Sequence, residues 1–323
     1  MKVSKVLSNP QVIKSFNKIQ KGLKKSALLT KLVFIPFLLV FVVPISYGLM
    51  GGKFNGTIFI VMAFLLIFLM VFTFYTNKLR SKIIRSFKVK VTKPILADYK
   101  PEWKLDEKQG LDEDSILTLE MLRQKYGHYY SADSVTGKLG SSFFHSADIS
   151  LSTTYNTGSS DNSSSETVTH YEGRVFMMEL GDVIMTPIHL YSDLNSNHFD
   201  SKDTPAFYSE KGQPFSFEES RFTECFTVFS DEKGFSNIFD DAFKSVLVGL
   251  RDFTRSNIRI VMSGAKMYIA LEGNYQSWDL SNKRTIEEVN NSIKVNIELL
   301  EYLVAFSESF TQRVFQTKDI WQK

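Results

Sequence analysis

The stretch "GLMGGKFNG", Gly48 to Gly56, lies between two apolar runs, and its reading decides the architecture. Upstream, Leu32 to Met50 ("LVFIPFLLVFVVPISYGLM") holds nineteen residues without a charge, and downstream Thr57 to Tyr75 ("TIFIVMAFLLIFLMVFTFY") holds nineteen more. As helices, at about 1.5 Å per residue, each covers roughly 28 Å, close to the hydrocarbon thickness of a bilayer. Neither run keeps a polar face, unlike the helices of a soluble core. Pro36 and Pro44 would end a soluble helix but are tolerated in a membrane one. Gly51 to Gly56, with Asn55 among them, suits a tight turn. The stretch predicts the tip of a hairpin that crosses a bilayer twice, with spans 32–50 and 57–75.

Charge orients the hairpin. The first acidic residue of the chain is Asp98. Lys2, Lys5, Lys14, Lys18, Lys21, Lys24, Lys25 and Lys31 precede the first span. Lys78, Arg80, Lys82, Arg85, Lys88, Lys90 and Lys93 follow the second, and only Lys53 sits in the turn. The positive-inside rule puts both ends in the cytoplasm and the glycine turn outside. A cleaved secretory signal fits poorly, because the apolar run starts late and a second one follows. The sequence thus predicts a multi-pass membrane protein with a cytoplasmic domain.

The net charge of +3 conceals two opposite halves. Sixteen of the 38 basic residues precede Asp98, which leaves 22 basic against 35 acidic residues from there on, a balance of −13. Basic character belongs to the membrane segment, so no nucleic-acid partner is expected. The lone cysteine, Cys225, excludes an intramolecular disulfide and reads as a small core residue. Asn162-Ser-Ser matches a glycosylation sequon that has no meaning on the cytoplasmic side. In the Lys-rich arm 1–31, Val12, Ile13, Phe16, Ile19 and Leu23 recur at helical spacing among lysines. Two readings stand: a helix lying on anionic lipid headgroups of the bilayer, or a flexible arm that only sets topology.

After a basic linker, 76–101, residues 102–323 form one acidic domain of a size ample for its own core. "DEDSILTLEMLRQ" begins a helix with Ile116, Leu119 and Leu122 on one face. "GHYYSADSVTGKLGSSFFHSADISLS" reads as two strands turning at Thr136-Gly137, and Thr153 to Glu166 as a polar loop. "THYEGRVFMMEL" and "VIMTPIHLY" flank Gly181-Asp182 as a hairpin, and "IRIVMSGAKMYIALEG" turns at Ser263-Gly264 as another. "FTECFTVFS" reads as a strand between them. Phe235 to Phe253 has the period of a core-packing helix. A long helix closes the chain from a capping box at Thr285 to Glu288. Strands in hairpins with segregated helices argue α+β with an antiparallel sheet. The alternative architecture is a pleckstrin-homology-like half-barrel with a capping helix.

Chemistry is sparse. No phosphate loop, dinucleotide fingerprint, zinc-ligand pair or nucleophile elbow is present, so no cofactor is expected. His145 with Asp148, His170, and His189 with Asp193 show local spacings that chance would produce in an acidic domain. His198, Asp200 and Asp203 in "HFDSKD" make the best metal candidate, against the commoner reading of a solvated loop. Nothing brings a base to Ser146 or Ser263. Asp240 and Asp241 read as the solvated face of a helix.

Two N-terminal spans, then "ADSVTGKLG", "YEGRVFMMEL", "FTECFTVFSDE" leading into a helix, and "MYIALEG" resemble the bacterial membrane-protein family catalogued as domain of unknown function 3137, over about residues 30–315. "SNIFDDAF" departs from that pattern at a helix entry. The resemblance implies a bacterial source and an integral location in the inner membrane, and brings no catalytic residues. It also implies, as a speculative partner, a small coiled-coil membrane protein of the LemA type. The function expected is a membrane-anchored cytoplasmic binding or regulatory module that recruits or senses a protein partner at the inner membrane face. The alternative is an enzyme acting on a membrane-proximal substrate, with a site near His189, Asp193, His198 and Asp200.

Overall fold

The computed structural model describes residues 9–49, 56–117, 126–139, 142–157, 164–192, 215, 217–230, 239–273, 278, 280, 283 and 285–321. The chain divides into two compact units, one of residues 1–99 with 279–292 and one of residues 100–278 with 293–323.

The first unit is helical. Helix α1 runs unbroken over Pro10–Leu49 and packs against α2, Gly56–Phe87. A π-helical turn, Lys88–Thr92, then leads into α3, Lys93–Tyr99, so most of the expected linker is helix. From Met62 to Ile83 the covered or half-covered positions of α2 are Met62, Leu65, Leu69, Phe72, Thr76, Leu79 and Ile83. They alternate steps of three and four, the seam by which two helices pack side by side. From Pro10 onward the N-terminal arm is helical and continuous with the first apolar run. Val12, Phe16 and Ile19 are buried. Phe16 meets Phe87 at 6.1 Å between ring centroids, and Gly22 faces Ile83. The three apolar side chains Val12, Phe16 and Ile19 are covered by protein.

The second unit is α+β with an open antiparallel sheet. Strand β1 is Lys104–Asp106 and is followed by a short helix α4, Glu113–Leu117. Strands β2, His128–Leu139, and β3, Ser142–Thr157, are antiparallel neighbours. Leu139 pairs with Ser142, so the strands do not turn at Thr136-Gly137, which sits inside β2 opposite His145 and Phe144. Gly137 is there for space: a Cβ would come within 2.5 Å of the Trp103 ring and 3.0 Å of Phe144. The expected polar loop is shorter too, since Ser152–Thr157 pairs with Ser164–Thr169 at the start of β4, Ser164–Tyr191.

Strand β6, Ile258–Glu272, folds back on itself at Gly264, whose φ is +59°. The amide of Glu272 donates to the Asn257 carbonyl at 2.9 Å, whereas a straight strand of that length would hold its ends about 50 Å apart. That hairpin is the expected one. Both of its arms are antiparallel to β4: Lys266–Glu272 against Gly173–Glu179, and Arg259–Met262 against Ile188–Tyr191. So β4 must also reverse, at the Gly181-Asp182 region as its residues suggest. Its two arms do not pair with each other. The β6 hairpin stands between them, and one row of hydrogen bonds runs Glu172–Gly273, Glu272–Asn257 and Ile258–Ser192 across the four arms.

The expected strand "FTECFTVFS" is half helix: α5 is Arg221–Cys225, and only β5, Thr227–Phe229, pairs with the end of β4. Helix α6, Asp241–Thr254, buries Phe243, Leu247 and Leu250. Helix α7, Ile286–Trp321, begins with the Thr285 hydroxyl accepting from the Glu288 amide at 3.1 Å, one half of the expected box. Phe243 of α6 packs on Phe306 and Phe310 of α7. No pairing joins β1 to β5 among the described residues, so the sheet is open. Both faces of the central strands are covered, and Gly173 to Met178 is buried without alternation. Leu111 and Ile116 cover one face, over Ala147, Ile149, Val175, Tyr268 and Ala270.

Candidate functional site

The residues singled out for chemistry scatter. His145, in β3, is half-buried and paired across to Met177, and burial holds its imidazole below the usual histidine range. His170 Nε2 lies 2.8 Å from the Thr153 hydroxyl. His189 is buried in β4, stacked on Tyr191 with Nδ1 3.3 Å from that phenol. Asp193, His198, Asp200 and Asp203 lie outside the described residues, so the candidate metal loop and three members of the alternative enzyme site do too. Among the described residues no group of three or more His, Cys, Asp or Glu could hold a metal ion. Ser263 lies at the β6 turn, and Ser146 is fully buried. Asp240 caps α6, accepting from the Phe243 amide at 2.8 Å, and pairs with Arg313, so it has a structural task; Asp241 is exposed. Cys225 is buried and lies 2.7 Å from Arg251 Nη1.

One charged centre was not anticipated. Arg174 interrupts the apolar run "GRVFMM" of β4 and is 2% exposed. Its Nε donates to Asp148 Oδ1 at 2.7 Å, and its Nη2 to the Asp133 carbonyl at 3.3 Å. The guanidinium lies 5.8 Å from the centre of the Trp278 ring. Asp133 sits at the bulge of β2 with φ +56°, a left-handed conformation that a fixed donor helps to hold. The ring of partners seals the guanidinium inside the sheet. That arrangement orders a strand junction and offers no approach to a substrate.

The surface with a visible capacity is on α2. Phe64, Ile67, Phe68, Met70, Val71, Phe74 and Tyr75 are all exposed, Met70 by 76%. Outside the seam toward α1, nearly every direction around the helix is apolar up to Tyr75. From Asn77 onward the exposed positions are Asn77, Lys78, Arg80, Ser81, Lys82 and Arg85. The change is complete within one turn. The helical run Met62–Tyr99 is long and apolar enough to cross a membrane, and only 11% of its most apolar window is buried. A soluble core helix would bury that window.

Residues 169–306 match the model of a family described as a protein of unknown function, DUF3137. "YEGRVFMMEL", "FTECFTVFSDE" and "MYIALEG" fall inside that match, while "ADSVTGKLG" and the two apolar runs lie before it. The search of curated proteins finds no match. A crystal structure of the mycobacterial trehalose monomycolate transport factor A, TtfA, is similar over 63% of this chain and 92% of its own, with 10% identity and a TM-score of 0.29. Nothing about the role of this chain follows from a likeness at that level.

Proposed function

We propose that the chain is an integral protein of a bacterial inner membrane, anchored by a hairpin with spans 32–50 and 57–75. Both termini face the cytoplasm, and the acidic α+β unit acts there as a binding or regulatory module for a protein partner. The observation that carries the anchoring is the exposed surface of α2, apolar all round to Tyr75 and basic after it. Such a girdle is costly in water and expected in lipid. The cations beyond it agree with a cytoplasmic exit.

The module reading rests on what the second unit is built for. Its sheet is covered on both faces, and its buried Arg174 is neutralised by Asp148. A well-formed core without a reactive cluster among the described residues suits recognition by surface. A coiled-coil membrane protein of the LemA type remains the speculative partner. The test is affinity capture of the full chain from solubilised membranes. Recovery of a stoichiometric protein partner supports the module, and recovery of neither a partner nor a second copy contradicts it.

A further inference from the structure

We infer that the outward face of α1, Ile13 with Lys14, Lys18 and Lys21, is a docking site for an acidic helix of a partner protein, held clear of the membrane. The inference rests on the anchoring proposed above and names the partner's chemistry. Helix α1 is continuous from Pro10 into the first apolar run. With Leu32 at the membrane boundary, a rise of 1.5 Å per residue puts Lys21 about 16 Å and Lys14 about 27 Å from it. Fields of lipid headgroups fade within about 8 Å at physiological ionic strength. These lysines therefore stand beyond the lipid they were expected to bind.

The inward face of the same turns is occupied, with Val12, Phe16 and Ile19 buried. The outward face forms a shallow groove lined by Pro10, Ile13, Lys14, Asn17, Lys18 and Lys21. Lys14, Lys18 and Lys21 are exposed and fall at i, i+4 and i+7 along one stripe, where like charges oppose one another. No acidic residue precedes Asp98, so this segment supplies no counter-charge of its own. A second helix with carboxylates at the same spacing matches the stripe charge for charge, and an apolar residue between them seats on Ile13. A nucleic-acid backbone would match the charge but has no use for Ile13.

The test places a photo-crosslinking residue at Asn17 of the full chain in its native membrane, with a second at Phe68 as a lipid control. The expected adduct at Asn17 is a segment of another protein with Asp or Glu three or four residues apart. Its yield falls about tenfold or more with Lys14→Glu, Lys18→Glu and Lys21→Glu together, and survives replacement of the same three by Arg. An adduct with lipid, nucleic acid, residues 98–323 of this chain or a segment without such acids overturns the inference, as does no adduct. Lipid adducts at Phe68 in every variant keep the anchoring intact while the docking face alone fails. Their absence removes the anchoring itself.

Discussion

Asp148 and Arg174 stand directly opposite one another in adjacent strands, joined at 2.7 Å from Nε to Oδ1. The arginine is almost wholly buried, so the pair balances a large desolvation cost by its geometry. Removing one partner strands the other. Arg174→Ala is expected to destabilise the second unit by about 3 kcal/mol. Arg174→Met with Asp148→Leu should recover most of that loss, since an apolar pair leaves no buried charge. Urea unfolding of the solubilised chain followed by tryptophan fluorescence measures both.

Two glycines separate a tight site from an open one. Gly137→Val forces methyl groups into the Trp103 ring and Phe144, and should cost about 1–3 kcal/mol. Gly249, exposed on α6, has nothing within 4 Å of a Cβ, so Gly249→Ala should stabilise by about 0.4–1 kcal/mol. The same unfolding curves check the opposite signs.

Asp240 links the start of α6 to Arg313 of α7. The Phe243 amide first, and then Arg313, holds its carboxyl below the usual carboxylate range. A depressed folded value means that this stabilisation is complete above the unfolded pKa, near 3.8, and is lost as pH falls through the lower folded value. Asp240→Asn keeps a cap oxygen and should flatten that acid-limb dependence, whereas Asp240→Ala also loses the cap, about 1 kcal/mol at neutral pH. Thermal melts between about pH 2 and about pH 7 distinguish the two variants.

Met70 tests what surrounds α2. In water, Met70→Lys on so exposed a position would shift stability by less than about 0.5 kcal/mol. At the centre of a span the same change costs about 2.5–3.5 kcal/mol of insertion free energy, and at Met70, nearer the cytoplasmic end, a smaller cost of the same sign remains. A fall in the carbonate-resistant membrane fraction is the expected result, and an unchanged fraction of a fully soluble chain contradicts lipid exposure.

Local signals were legible and distant partners were not. Gly181-Asp182 and Ser263-Gly264 both mark reversals of the chain, as their residues suggest. That the second hairpin inserts between the arms of the first is decided by register across about ninety residues of sequence, which no local pattern encodes. Gly137 looked like a turn because glycine serves turns and close approaches alike. Val12, Phe16 and Ile19 formed a correct helical stripe, but periodicity does not say whether lipid or protein covers it. Arg174 is a lone charge within the apolar run of β4. Its partners Asp148 and Asp133 come from other strands and needed the sheet to bring them together.

The central claim is that the hairpin crosses the membrane with both ends inside, and cysteine accessibility in intact cells tests it most directly. A cysteine at Asn55 should react with an impermeant thiol reagent added outside, while a cysteine at Ser160 stays unlabelled until the cells are permeabilised; Cys225, buried in the fold, reports on neither side. The positive-inside bias of Lys78, Arg80, Lys82 and Arg85 requires that result. Labelling at Ser160 in intact cells, with none at Asn55, would contradict it.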